Sequence, residues 1–100
     1  MKFSINVKSN AVDRLDLHIE FLANVSEAAA VGLFKEYVKS LKAVSENPYM
    51  YRRYESNESD NLRYKLFYKN RFRMVYEIVE KAIYVYDIQD CRQNTDKNLI

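Results

Sequence analysis

The chain is poor in several residues on which protein chemistry commonly depends. Its 100 residues include one glycine, one proline, one cysteine and one histidine. A single glycine, Gly32, cannot build a glycine-rich phosphate loop. A single cysteine, Cys91, leaves no disulfide framework and no cysteine-based metal site within the chain, and a reducing cytoplasm suits it. No histidine stands near Cys91 in sequence to make it a thiolate nucleophile. The lone histidine, His18, lies amid Asp16 and Glu20, a setting that fits a surface residue better than a metal ligand. No metal and no cofactor are expected. The first ten residues, MKFSINVKSN, lack the apolar stretch of a signal peptide, and no apolar run approaches a membrane span. The expectation is a cytoplasmic protein without a membrane segment.

The length fits one domain with a modest core. Charged residues are 30% and the hydrophobic class 48%, as in ordinary globular proteins. A formal charge of +2 is too small to argue for nucleic acid by itself. Its distribution is more informative. Residues 63 to 73 hold five basic side chains (Arg63, Lys65, Lys69, Arg71, Arg73) and no acidic one, whereas Asp13 to Glu20 is net acidic. There are nine tyrosines, five of them between Tyr64 and Tyr86. Tyrosine favours half-buried pleated surfaces, and it also stacks on bases and partner surfaces; both readings stay open here.

Residues Lys2 to Lys8 alternate Phe3, Ile5 and Val7 against polar neighbours, a short strand. Ser9 or Asn10 can cap a following helix, on which Val12, Leu15, Ile19 and Leu22 form one face. Ser26 and Glu27 restart a second helix with Ala30, Phe34, Tyr37, Val38, Leu41 and Val44 on one face. Gly32 is read as a point where the two helices approach closely. Asn47-Pro48 ends the second helix, because a residue before proline is driven out of the helical region. Residues 49 to 61 read as a polar connection in which Glu55, Glu58 and Asp60 offset Arg52 and Arg53.

The chain's organising stretch runs from Leu62 to Gln93. Leu62, Tyr64, Leu66 and Tyr68 alternate with Arg63, Lys65, Phe67 and Lys69. A turn at Lys69-Asn70 folds Phe72, Met74, Tyr76 and Ile78 back alongside, with Arg71 and Arg73 on the opposite side; Asn tolerates the positive φ of such a turn. The Leu/Tyr/Met/Ile face is expected to pack on the helices, leaving a basic, aromatic-studded surface. Glu80-Lys81 makes the next turn and Ala82 to Gln89 the last strand. That strand carries apolar residues of both parities (Ile83, Val85; Tyr84, Tyr86, Ile88), which requires burial on both faces or a bulge near Asp87.

The run LR…FRMVYEI…AIYVYDIQDCRQN resembles the C-terminal half of the RelE/ParE superfamily of toxins from bacterial type II toxin–antitoxin modules. The matching positions are Leu62-Arg63, then Phe72-Arg73-Met74-Val75-Tyr76, then Ile83 to Ile88 with Asp90-Cys91-Arg92-Gln93. The resemblance implies an α+β fold in a single domain: an N-terminal strand, a helical hairpin, then a three-stranded antiparallel meander that the first strand joins. It places that domain at residues 1–93, with 94–100 as a polar C-terminal tail.

The resemblance further implies a growth-inhibiting, plasmid-stabilising toxin neutralised by a cognate antitoxin. Two kinds of target are open. ParE-type members poison DNA gyrase and lack a catalytic set; RelE-type members cut mRNA on the ribosome without metal. For the second kind the resemblance puts catalytic cations at Arg73 and Arg92 and a base near Arg63 or Lys65. Arg63, Lys65, Lys69, Arg71, Arg73 and Arg92 are the candidate binding surface for nucleic acid or another target. Each has a plainer alternative: Arg63 and Lys65 as the solvated face of an edge strand, and Arg92 as an ion-pair brace with Asp90 or Asp87; for Lys69 and Arg71 the plainer reading is preferred. RNA-cleaving members usually add a Tyr or His near the C-terminus; residues 94–100 hold neither, and Asp90 is the nearest ionisable substitute. That lack, with a hairpin as long as Ser9 to Asn47, is more like the ParE type. A third reading is a degenerate, non-toxic member that only binds its partner.

Overall fold

The computed structural model describes residues 3–54 and 62–92. The tail expected over 94–100, and Glu55, Glu58 and Asp60 of the connection, lie outside the described residues. The chain runs β1 (Ser4–Val7), α1 (Ser9–Val25), α2 (Glu27–Glu46), a 3-10 turn (Pro48–Met50), β2 (Arg52–Arg53), β3 (Leu62–Phe67), β4 (Phe72–Val79) and β5 (Ala82–Asp90). The strands form one sheet in the order β1-β5-β4-β3-β2. Strands β3, β4 and β5 are the expected antiparallel meander, and β1 joins it parallel to β5. The unexpected strand is β2, which pairs Arg52 with Tyr64 and Arg53 with Arg63.

The two helices cover one face of the sheet. From β4 and β5 that face contributes Phe72, Met74, Tyr76, Ile78, Ile83, Val85 and Ile88, all 1% exposed or less. Withdrawing a ring or branched chain of this size from water is worth about 1.5–3 kcal/mol each, which is why these strands and the helices cannot separate cheaply. In β5 both parities reach this core because Val75 pairs with Asp87 while Tyr76 pairs with Val85, so Tyr86 is the extra residue of a bulge. The bulge expected near Asp87 is present.

The helix faces are rotated from those expected. In α1 the buried residues are Ala11, Leu15 and Leu22, while Val12 is 41% exposed. In α2 they are Ala30, Leu33, Tyr37, Ser40 and Val44, while Phe34 and Val38 are exposed. The hairpin carries more apolar residues than the sheet can cover, so hydrophobic spacing alone does not fix its phase. Capping is also mixed. Ser26 Oγ accepts from the Ala29 N–H as the cap of α2, as expected. The start of α1 is a correction: Lys8 is its N-cap without a side-chain bond, and Asn10 Nδ2 instead donates to the Tyr86 carbonyl at 2.9 Å. Asn47 ends α2 before Pro48. Gly32 does not join the helices; it faces Tyr68, whose Cε1 would lie 3.2 Å from an added Cβ.

Candidate functional site

The β3–β4 register decides where the basic residues go. Lys69 and Asn70 have positive φ as a turn there requires, and Tyr68 shares it, so the connection is Tyr68 to Arg71. Phe67 pairs with Phe72, Lys65 with Met74 and Arg63 with Tyr76. Residues directly opposite in an antiparallel pair share a face. Arg63, Lys65 and Phe67 therefore lie on the helix side with the core. Leu62, Tyr64 and Leu66 lie on the far side, opposite Glu77, Val75 and Arg73. This reverses the face expected for β3. A turn centred on Lys69-Asn70 joins an odd position to an even one, and that parity overrides the apolar preference of Leu62, Tyr64 and Leu66.

The predicted basic surface is accordingly divided. Arg63 Nη1 donates to the carbonyls of Tyr51 (2.7 Å) and Tyr49 (3.2 Å), and its guanidinium sits over the Tyr49 ring. It ties β3 to the segment after α2. Lys65 Nζ donates to Ser40 Oγ of α2 and to the Leu66 carbonyl, both at 3.2 Å, and lies 5.5 Å from the Tyr51 ring centre. Burial lowers the pKa of Lys65 from its ordinary value, with Glu36 pulling the other way. Arg71 reaches Asp90 at 3.4 Å beside Phe72, and Asp90 is 6% exposed. Asp90 Oδ1 also accepts the Arg92 backbone N–H at 2.9 Å. The brace expected of Arg92 is thus made by Arg71, and Asp90 serves as its counter-ion. Arg92 is exposed, and Lys69 is exposed beside the Tyr68 ring.

Arg73 is the cation of this set that β4 points away from the helices. Its guanidinium lies 5.0 Å from the centre of the Tyr54 ring and 5.1 Å from that of Tyr64. Those rings meet edge to face at 6.1 Å. Arg73 Nε donates to Gln89 Oε1 and Nη2 to the Tyr54 hydroxyl at 3.4 Å. The cation is oriented by strands on both sides and held against two π faces, a fixed charge rather than a roaming one. Cys91 stands near it: burial pushes its thiol up, and Arg73 partly opposes the shift.

On the same face Lys8 lies over the Tyr84 ring at 5.3 Å, and the Tyr86 hydroxyl donates to Glu77. Sequence reasoning missed Tyr54, Gln89 and the Lys8–Tyr84 pair as neighbours of the site. The signal for Tyr54 was the strand-like run Arg52-Arg53-Tyr54, read as a loop. Among the described residues, no cluster of three or more His, Cys, Asp or Glu side chains could hold a metal ion. No described helix is long and apolar enough to cross a membrane.

Charge stabilisation is what this arrangement offers chemically. Arg73 can hold a phosphate or carboxylate on the far face. Lys65, the expected base, is on the other side of the sheet. Glu77, the carboxylate sharing the Arg73 face on β4, is occupied by Tyr86.

No family model matches the sequence, and no curated protein sequence matches it. Solved structures do. The chain aligns over 89% of its residues with 96% of a chain described as "Chromosomal ParDE TA system from P. aeruginosa", at TM-score 0.70 and 14% identity. It aligns over 100% of both chains with a mutant of the E. coli toxin RelE in the free state, at TM-score 0.55 and 14% identity. The strand, helical hairpin and meander described above are therefore the RelE/ParE toxin fold.

Proposed function

We propose that this chain is the toxin of a type II toxin–antitoxin module, acting in the cytoplasm, ParE-like in arresting growth by binding its target, and neutralised by a cognate antitoxin. The observation that carries the choice is the separation of Lys65 from Arg73. Cutting RNA without metal needs a base for the 2′-hydroxyl, cations for the phosphorane-like charge and an acid for the leaving oxygen. Lys65 is bonded to Ser40 beneath the sheet and Asp90 is paired to Arg71, while the carboxylates nearer Arg73 are engaged, Glu77 by Tyr86 and Asp87 by Gln89. Both fold likenesses are to toxin–antitoxin proteins, which supports the module assignment. DNA gyrase is the target this reading favours.

The second reading is a ribosome-dependent mRNA endonuclease, with Arg73 and Arg92 as catalytic cations. Arg73 supports it, since its guanidinium is a fixed charge held against the Tyr54 and Tyr64 rings, as stabilisation of a phosphorane-like charge requires. The degenerate binding-only reading predicts no growth effect at all.

Induced expression in a bacterial host separates these readings. The proposal expects colony counts to fall by orders of magnitude on induction and to recover with the adjacent antitoxin gene. It expects the Arg73→Ala/Arg92→Ala double variant to inhibit growth as the parent does. A harmless double variant that is still folded supports the nuclease; a harmless parent supports the degenerate member.

A further inference from the structure

The outer surface of the helical hairpin carries an apolar row between an acidic one and a basic one. Val31, Phe34 and Val38 of α2 form the apolar row; they are 50%, 49% and 47% exposed, at the i, i+3, i+7 spacing of one helical face. They have no core to enter, because the sheet side of α2 is filled by Leu33, Tyr37 and Val44. Next to them stand the exposed Lys35, Lys39 and Lys42. Lys35 and Lys39 line the flank of α2 turned to Tyr68 and Lys69, which leaves α1 on the other flank. The solvent side of α1 presents Asp13, Asp16 and Glu20, all exposed. Asp16 is close enough to α2 to act on Tyr37, whose pKa is raised by burial first and by that charge second. Lys39 also meets Glu36 at 3.7 Å, but with side chains 77% and 44% exposed the pair is too solvated to cancel the basic row.

We infer that this surface pairs with the same surface of a second copy of the chain, about a two-fold axis running along α2. Such an axis sets apolar row on apolar row and crosses each copy's carboxylates over the other's lysines. The charged rows are in step along the hairpin. Residues equally far from its joint at Ser26 lie side by side, so Lys35 is level with Leu17, between Asp16 and Glu20, and Lys39 is level with Asp13. A two-fold axis across α2 would lay carboxylates on carboxylates, so the charges select one arrangement. They also favour this partner. The order acidic, apolar, basic is its own complement, whereas a partner helix of one charge sign would set one row against like charge. Two helices about 25–30 Å long and together about 20 Å across offer on the order of 500–600 Å² per copy. That is below the roughly 800 Å² of a standard interface, so the expected dimer is reversible, with a micromolar Kd. Pairing leaves Arg73, on the far side of the sheet, uncovered, and it is independent of how the chain acts on its target.

The test is sedimentation equilibrium of the full chain across a concentration series, with circular dichroism to confirm that each variant is folded. The parent is expected to pass from one chain mass to two. Phe34→Asp, an exposed position, should remain monomeric. Lys35→Glu alone, and Asp16→Lys/Glu20→Lys alone, should each raise the Kd at least tenfold, because the two-fold axis repeats every like-charge contact. An equimolar mixture of those two variants restores opposite charges at both contacts, and its Kd should return to within about threefold of the parent's. A parent that is monomeric up to about 500 μM would overturn the pairing. So would a dimer that survives Phe34→Asp or the charge changes, or a mixture that stays monomeric. A monomeric parent whose rescue by the antitoxin is lost with Phe34→Asp would give the surface to the antitoxin instead.

Discussion

Lys65 and Arg73 leave opposite faces of one strand pair: Lys65 is opposite Met74 over the core, and Arg73 is opposite Leu66 on the far side. One residue of register separates a joint site from two unrelated cations. Lys65 is drawn under the sheet by Ser40 and Tyr51, Arg73 is drawn over it by Tyr54, Tyr64 and Gln89. The core on one side and the tyrosine pair on the other fix this arrangement.

The Arg71–Asp90 pair closes the end of the sheet. Its side chains are 17% and 4% exposed, so removing one charge strands the other where water cannot compensate. Asp90→Asn is expected to cost about 2–3 kcal/mol in urea unfolding. A loss below about 0.5 kcal/mol would show that the pair is not a brace.

Gly32 and Tyr68 should be coupled. Gly32→Ala gains about 1 kcal/mol of helix propensity, but its Cβ meets the Tyr68 ring at 3.2 Å. The gain is therefore expected to be largely cancelled in the parent and recovered in a Tyr68→Ala background. A double-mutant cycle on thermal unfolding measures this; additive effects would contradict the contact.

Alkaline pH should destabilise the fold through its tyrosines. Burial raises the pKa of Tyr76, Tyr37 and Tyr51, and the hydrogen bond to Glu77 raises that of Tyr86. A group that holds its proton more tightly when folded contributes fully below its unfolded pKa, about 10 for tyrosine, and loses that contribution above it. The urea midpoint should be flat up to about pH 9 and fall from about pH 10 upward. Tyr76 also donates to the Pro48 carbonyl at 2.6 Å. Tyr76→Phe should thus cost about 1–2 kcal/mol at neutral pH and show a shallower alkaline decline. An unchanged decline would assign the effect to other groups.

Much of this was legible in the sequence. Strand alternation placed Phe72, Met74, Tyr76 and Ile78 in the core, and the two parities of β5 left burial on both faces or a bulge near Asp87, of which the bulge is found, at Tyr86. Asn47-Pro48 and Ser26 marked the ends of α2 through backbone chemistry that tertiary contacts do not override. The site was less legible. Lys65 and Ser40 are polar residues that satisfy each other at the helix–sheet interface, and a pattern that seeks apolar faces places both outside. Leu66 and Tyr64 read as core, yet they line the side that holds Arg73. Strand β2 escaped because two arginines in a polar stretch resemble a loop until their partner strand is known.

The central claim is that the chain arrests growth by binding rather than by cutting RNA. The most direct measurement adds purified, folded chain to translating ribosomes programmed with a defined mRNA and maps 5′ ends by primer extension. The account predicts an intact message, while the same preparation inhibits supercoiling by DNA gyrase. New 5′ ends that appear only with ribosomes, and vanish with Arg73→Ala, would contradict it.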